Sequence, residues 1–380
     1  MNILFLTYHG LEAASGISKK IMAQVEGLKQ NGHRVHLCTY GIREDGHRCR
    51  FVDDQVISDF GTGKMAALRK RCSYGDIYQY CRKEGIEAIY VRSFHNANPW
   101  TIHLFKRLRK AGIPTVMEIP TYPYDDEYSG FPLKERVELV MDKLFRHQLA
   151  AQMAGIVTFS DAKTIFGQRS IRISNGIDFD AVPMRIPASH PEDELHLLGV
   201  AEVHVWHAYD RLIHGLAEYY NQPSRPALKV YFHIVGGVCD ADKVPWTAYI
   251  REHRIEPYVI FYGQQTGDAL TLAFNKADFA IGSLGRHRSG ITKIKTLKNR
   301  EYAARGIPFI YSEVDDDFEG MPYILKAPAD ESPIRVSDII DFHRKCALSP
   351  VEIRQSITHC SWKNQMARVI DDMKRYTMRS

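Results

Sequence analysis

The sequence predicts an α/β protein made of two Rossmann-like halves, each a parallel sheet with helices on both faces. Three observations lead there. Short apolar runs alternate with amphipathic stretches from end to end, as parallel sheets require. At 380 residues the chain exceeds what one hydrophobic core ordinarily serves. Near its middle, the turn signal Asn175-Gly176 is followed by the Pro-rich polar stretch "VPMRIPASHPEDE", which has the composition of a linker.

In the first half, strands are expected at Ile3–Thr7, Val35–Thr39, Ala88–Val91, Thr115–Ile119 and Ile156–Phe159. Helices include Gly16–Asn31, Tyr74–Lys83, Pro99–Lys110 and Leu133–Met153. In the second half, strands at Leu195–Val200, Lys229–Val235, Val259–Tyr262, Phe279–Gly282 and Pro308–Tyr311 alternate with helices at Ala208–Tyr220, Val244–His253, Gly267–Asn275 and Lys293–Arg305. The domains are therefore 1–175 and 176–380, with a C-terminal helix that crosses back onto the first. Open parallel sheets bind ligands beyond the carboxyl ends of their strands.

Composition bounds the function. Hydrophobic residues are 44% and charged residues 25%, with no low-complexity tract, so the chain is globular. "MNILFLTYHG" lacks a basic leader and runs into a glycine turn, which makes it a first strand rather than a signal peptide. No stretch approaches the ~18 apolar residues of a membrane span. The seven cysteines are odd in number and form no Cys-x-x-Cys pair, which argues against a disulfide framework or a zinc site and for a reduced, cytoplasmic protein. Charge is uneven: residues 1–175 carry +7 and 176–380 carry −2. The basic clusters of the first half, Lys64 with Arg69-Lys70-Arg71, Arg82-Lys83, and Lys106-Arg107 with Arg109-Lys110, lack interleaved aromatics. They suit an anionic membrane surface better than nucleic acid.

Glu301 is the awkward residue. On a helix over Lys293–Arg305 it projects between Ile294 and Leu297 on one side and Ile291 on the other, near the middle of the apolar stripe. Gly306 and Pro308 end that helix, and "IPFIY" follows as an interior strand, so Glu301 stands at the edge of a sheet layer. A salt bridge to Lys298 or Arg305 is the plain explanation. The preceding loop, "GSLGRHRSGIT", carries Gly282, Gly285, Gly290, Arg286 and Arg288 and opens a helix that Ser289 or Thr292 can cap. Free amides at a helix start, close backbone approach at glycine and guanidinium forks together make an anion cradle.

With these segments in view, the chain resembles a retaining glycosyltransferase of the GT-B fold, similar to glycosyltransferase family four. "REYAARGIPFI" is similar to the segment whose Glu binds the donor's ribose, "ISNGID" to the hinge-side Asn-Gly-Ile-Asp, and "ASGISKKIMAQVEGLKQNGHRVHLCTY" to the first loop and helix. The resemblance implies two Rossmann-like domains facing across a cleft, with acceptor on the first and nucleotide-sugar on the second. It also implies that neither a metal nor a covalent carboxylate is required. Three positions depart from the family. Lys293 replaces an earlier Glu, and Glu202 and His207 stand where an Arg and a Lys hold the donor diphosphate. The first domain has no His at its sugar-contacting strand end, where Glu118, Tyr124, Asp125 and Glu127 are the candidates.

The resulting expectation is a retaining hexosyltransferase that needs no cofactor and no metal. It moves a sugar from a nucleoside-diphosphate donor to a growing glycan or polyprenyl-diphosphate-linked acceptor at the inner membrane face. Glu118 and Glu301 are the catalytic candidates. Glu301, Lys298, Arg286, Arg288, Gly290 and His207 are the donor-binding ones, while Ser15, Gly16, Tyr124 and Asp125 serve the acceptor or first loop. Rival readings are a non-catalytic nucleotide-sugar-binding scaffold and a GT-B-like sugar-nucleotide epimerase.

Overall fold

The structure, a computed structural model, describes residues 1–12, 15–93, 95–124, 133–224 and 226–377. It divides into two compact units, Met1–Ser174 with Ser361–Ser380, and Asn175–Cys360.

The first unit runs β1 (Asn2–Leu6), α1 (Gly16–Gln30), β2 (Arg34–Ile42), β3 (Arg48–Val52), β4 (Gln55–Asp59), α2 (Gly63–Cys72), α3 (Gly75–Lys83), β5 (Ala88–Arg92), α4 (Pro99–Lys110), β6 (Thr115–Ile119), α5 (Leu133–Ala150), β7 (Gly155–Thr158), β8 (Thr164–Ile165) and β9 (Gln168–Arg172). Its sheet order is β4-β3-β2-β1-β5-β6-β7-β9-β8. The strands from β2 to β9 in that order pair in parallel, with antiparallel β3, β4 and β8 at the margins. Both sheet faces are covered, which is why β1 is apolar from Ile3 to Leu6. Leu4 and Leu6 join the core under α3, α4 and α5, whereas Ile3 and Phe5 join the one under α1.

The second unit runs β10 (Glu194–Val200), α6 (Tyr209–Tyr220), β11 (Lys229–Val235), α7 (Asp240–Glu252), β12 (Val259–Gly263), α8 (Gly267–Lys276), β13 (Phe279–Ile281), α9 (Leu297–Ala304), β14 (Phe309–Tyr311), β15 (Ile324–Lys326), α10 (Val336–Lys345) and α11 (Pro350–Ser356). Its six strands, ordered β12-β11-β10-β13-β14-β15, are all parallel. The last helix, α12 (Trp362–Thr377), belongs to the first unit. There Trp362, Met366, Val369, Ile370 and Met373 complete the core under α1, and each such side chain contributes roughly 1.5–3 kcal/mol on burial. Gly27 on α1 permits this contact, because a Cβ there would lie 2.7 Å from the Trp362 carbonyl carbon.

The structure adds β8, β9, β15, α10 and α11 to the expected elements, and it departs from the expectation at the β3–β4 hairpin and at the start of α9. The β3–β4 hairpin was not foreseen: its two-residue turn is Asp53-Asp54, both at positive φ (47° and 66°), rather than the Asn-Gly or Asp-Gly that signals such a turn. The helix expected from Lys293 begins at Leu297. Thr296 caps it, accepting from the Asn299 amide at 3.3 Å, while 286–289 forms a separate 3₁₀ turn. Ile291 and Ile294 therefore lie outside the helix, and the apolar stripe that seemed to enclose Glu301 does not form.

Candidate functional site

The densest group of candidate residues lies in the second unit, beyond the carboxyl ends of β10, β13 and β14. After β10 the chain makes a 3₁₀ turn, Val205–His207, and passes through Ala208 at φ 47° into α6. The loop after β13 packs on this turn through two backbone bonds, Leu284 amide to His207 carbonyl (3.0 Å) and Gly285 amide to Trp206 carbonyl (3.1 Å). Gly285 makes the approach possible, since a Cβ there would come within 2.6 Å of Ala208 Cβ. The loop ends at Gly290, in the left-handed region at φ 69°.

Three cationic or basic groups converge here with little compensation. Arg286 is half-buried against Trp206, its guanidinium carbon 5.2 Å from the ring centroid, and its Nε is buried without a hydrogen-bond partner. The Lys298 ammonium, 5.7 Å from the Tyr209 ring centroid, is likewise buried and unpartnered. Burial pulls the Lys298 pKa down to about 7; the Glu313 and Glu301 charges oppose that shift and Arg286 adds to it. Glu313, just past β14, is fully buried. Burial raises its pKa against the pull of Arg286 and Lys298, and Oε2 has no partner while Oε1 accepts from Asn299 Nδ2 at 3.3 Å. His207 is held neutral, chiefly by burial and then by Lys298 and Arg286. Its Nδ1 accepts from the His204 amide at 2.9 Å, which leaves the ring proton on Nε2 as a donor. Buried donors without acceptors are costly unless a ligand supplies them.

Arg288 has a different arrangement. Its guanidinium grips Asp210 in bidentate fashion (2.9 and 2.7 Å) and also donates to Glu331, and these hydrogen bonds push its pKa further up. It ties the loop to α6 rather than standing open beside Arg286. Ser289 closes the 3₁₀ turn by donating to the Arg286 carbonyl at 2.8 Å and caps no helix. Lys293 pairs with Asp316 at 2.8 Å. Glu202 accepts from Gln264 at 3.1 Å and lies against Gly237.

Glu301 is about one-third exposed and accepts from Arg305, four residues on, at 3.0–3.1 Å. The plain salt-bridge explanation thus describes its contacts. Its neighbours fix its position: Arg300, fully buried, donates to Asp315, Asp317 and the Asn175 carbonyl. Asn299, Glu313, Asp315 and Glu331 were missed from sequence. The rule that marked Glu118, a carboxylate at the carboxyl end of an interior strand, applies equally to Glu313.

In the first unit Glu118 is wholly buried near the end of β6. It accepts from Gln24 (2.6 Å), Tyr90 and Arg92 (each 2.5 Å) and faces Lys20 at 3.4 Å. Burial favours the neutral acid, but Lys20, Arg92 and the hydrogen bonds from Tyr90 and Gln24 outweigh it and hold the carboxyl below its ordinary range. Ser15 caps α1 by accepting from the Ser18 amide at 3.4 Å, and Gly16 is the first residue of that helix. Tyr124 is buried and donates to Asp142 at 2.6 Å. Asp125 and Glu127 lie outside the described residues.

Among the described residues, one group of three potential metal ligands comes within 4.8 Å of one another: Asp317, His359 and Cys360. A cation there would compete with Arg300, which already holds Asp317. No helix among the described residues is long and apolar enough to cross a membrane.

Two Rossmann-like units, a glycine loop beyond β13 and a basic cluster at the strand ends define the class: the chain has the GT-B glycosyltransferase fold. Solved structures show the likeness over the whole length. Sucrose-phosphate synthase from Thermosynechococcus elongatus aligns at TM-score 0.63 and 14% identity, covering 100% of this chain and 99% of that one. The HepE protein of Anabaena, solved with UDP and glucose, aligns at 0.59 and 14% identity, covering 99% and 100%. The catalytic domain of starch synthase IV from Arabidopsis thaliana, bound to ADP and acarbose, aligns at 0.62 and 10% identity, covering 99% of each. No protein-family model and no curated protein sequence matches the chain.

Proposed function

We propose that the protein transfers a sugar from a nucleoside-diphosphate donor to a growing, lipid-linked glycan, retaining the anomeric configuration. The observation that carries this reading is the pair of buried, unpartnered donors, Arg286 Nε and Lys298 Nζ, at the strand ends of a GT-B second unit. In the reaction the bond from the anomeric carbon to the diphosphate oxygen breaks, and its electron pair stays on the leaving phosphate. A bond to the acceptor hydroxyl oxygen forms, and the hydroxyl proton passes to that phosphate oxygen or to solvent. Negative charge grows on the leaving group, so fixed cations beside it supply most of the stabilisation. Arg286, Lys298, His207 Nε2–H and the backbone around Gly290 fill that role. Glu301 binds the ribose, and Arg288 holds the loop in place.

In the first unit Glu118 acts as a positioning residue: with its lone pairs taken by four donors, it sets Lys20 and Arg92 in place for sugar and acceptor. Ser15, Gly16, Tyr124 and Asp125 are assigned to the acceptor side, and the basic surface of α4 to an anionic membrane. The test is incubation with a panel of nucleoside-diphosphate sugars, following nucleotide release with and without lipid-linked acceptors. Release from one donor, lost in Lys298→Met, supports the transferase. Tight donor binding without turnover under every acceptor condition would establish the non-catalytic reading, to which Lys293 and Glu202 at family positions of opposite charge lend weight.

A further inference from the structure

The first unit holds a second concentration of uncompensated positive charge, where β1 and β2 end. Tyr40, near the end of β2, is its centre. Lys70 of α2 places its ammonium 3.4 Å from the Tyr40 ring centroid, and Arg48 of β3 donates to the Tyr40 hydroxyl at 3.0 Å. The β2–β3 ladder pairs Tyr40 with Arg50, whose buried guanidinium donates to the Ser73 carbonyl and lies 5.1 Å from both the Phe60 and Tyr74 rings. The turn after β1 closes on the same place, with the Tyr40 amide donating to the His9 carbonyl at 3.3 Å. Gly10 lets it close: a Cβ there would stand 2.9 Å from the Tyr40 carbonyl oxygen.

Aromatic faces and carbonyls hold these cations instead of carboxylates. Among the described residues, none of Arg48, Arg50 and Lys70 forms an ion pair, whereas neighbouring Arg43, Arg71 and Arg92 each do. A cation on a ring keeps its charge available to a third partner. The local field is strong enough that burial, followed by the charges of Arg71, Arg50 and Arg48, brings Lys70 down to about 8. His9 is also lowered, first by burial and then by Arg92 and Lys70. Guanidinium and ammonium groups gathered beyond the carboxyl ends of parallel strands match phosphate oxygens.

We propose that Lys70, Arg48 and the His9-Gly10 turn form an anion site for the diphosphate of a prenyl-lipid-linked acceptor. The inference rests on the transferase reading for its substrate class. The outer face of α2 points to lipid rather than to a free anion. Met65 and Leu68, 62% and 56% exposed, stand between exposed Lys64 and Arg69, and α2 contains no acidic residue. An apolar pair ringed by cations fits a prenyl chain entering from an anionic bilayer.

The test is calorimetric titration of the full chain with farnesyl diphosphate and with inorganic pyrophosphate. The wild type, Lys70→Met/Arg48→Gln and Met65→Ser/Leu68→Ser are compared, with Lys70→Arg/Arg48→Lys as a charge-preserving control whose melting temperature reports folding. The first pair should weaken farnesyl diphosphate about tenfold or more, and the charge-preserving pair should retain it. The α2 surface pair should weaken farnesyl diphosphate and leave pyrophosphate unchanged. Equal wild-type affinity for the two ligands would overturn the lipid assignment. Wild-type-like binding of both by Lys70→Met/Arg48→Gln would overturn the site itself. A nucleoside diphosphate is titrated into the same proteins. If wild type does not bind it, the transferase reading fails on its own, and the anion site is judged by the farnesyl diphosphate result alone.

Discussion

Arg300 and Asp315 form a fully buried ion pair, Nη1 to Oδ2 at 2.6 Å, one residue before Glu301 on α9. The pair sets the rotation of a helix only eight residues long, and with it the places of Lys298 and Glu301. Replacing Arg300 with Met should cost about 3–5 kcal/mol, because it strands Asp315 in the interior. Chemical denaturation measures this. A loss below ~1 kcal/mol would mean the carboxylate finds water and the helix is fixed by packing.

Binding of a nucleoside diphosphate should depend on pH through Lys298. Free, its pKa is about 7; a bound diphosphate favours the charged amine and raises it. Between those two values the complex holds more protons than the free protein, so affinity falls as pH rises above 7 and binding takes up a proton. The same group predicts that the ligand-free fold gains stability as pH rises from 7 towards the unfolded pKa, ~10.4. Titrations in buffers of different ionisation enthalpy count the protons. Lys298→Met should remove the uptake; uptake that persists in this variant assigns it elsewhere.

Arg286 and Arg288, two residues apart, should respond differently. Arg286→Ala should weaken a nucleoside diphosphate by ~1–3 kcal/mol and the free nucleoside hardly at all. Arg288→Ala should mainly lower the melting temperature, at a cost of about 1 kcal/mol because Glu331 is largely exposed. Equal losses for both ligands in Arg286→Ala would remove the phosphate contact.

Glu301→Gln should weaken the donor by ~1–3 kcal/mol. It also loosens Arg305, which is buried. Donor affinity that stays constant while stability falls would leave Glu301 as a salt-bridge residue only.

Glu118→Gln should keep nucleotide affinity and lose much of the transfer rate, with a stability loss of about 3–5 kcal/mol because Lys20 and Arg92 are left facing each other in the interior. Adding Lys20→Met should recover part of the stability. If the transfer rate recovers with it, the network is structural and positions nothing.

Much of the fold was legible because two-sided burial writes strands such as β1 and β5 as unbroken apolar runs between polar helical stretches. The β3–β4 hairpin was not, since Asp-Asp reaches positive φ without the glycine that announces it. Glu301 was singled out on a premise that the structure removes. The stripe that singled it out assumed one helix from Lys293, but Thr296 restarts the backbone and turns that stripe into loop. In sequence Arg288 reads as a phosphate fork, because the guanidinium is visible there and the two carboxylates that claim it, 78 and 43 residues away, are not. Arg286 and Lys298 stood out for their charge; only the structure shows that they are buried without partners.

The α12 helix has a consequence for synthesis. A ribosome must translate through Met373 before the core under α1 can close, by which time all of Asn175–Cys360 has emerged and can fold first. Until then Ile21, Val25 and Leu28 present an oily groove to solvent. Nascent-chain chaperones should therefore dwell on α1, and a frameshift within α12 would damage the packing of a helix more than three hundred residues upstream.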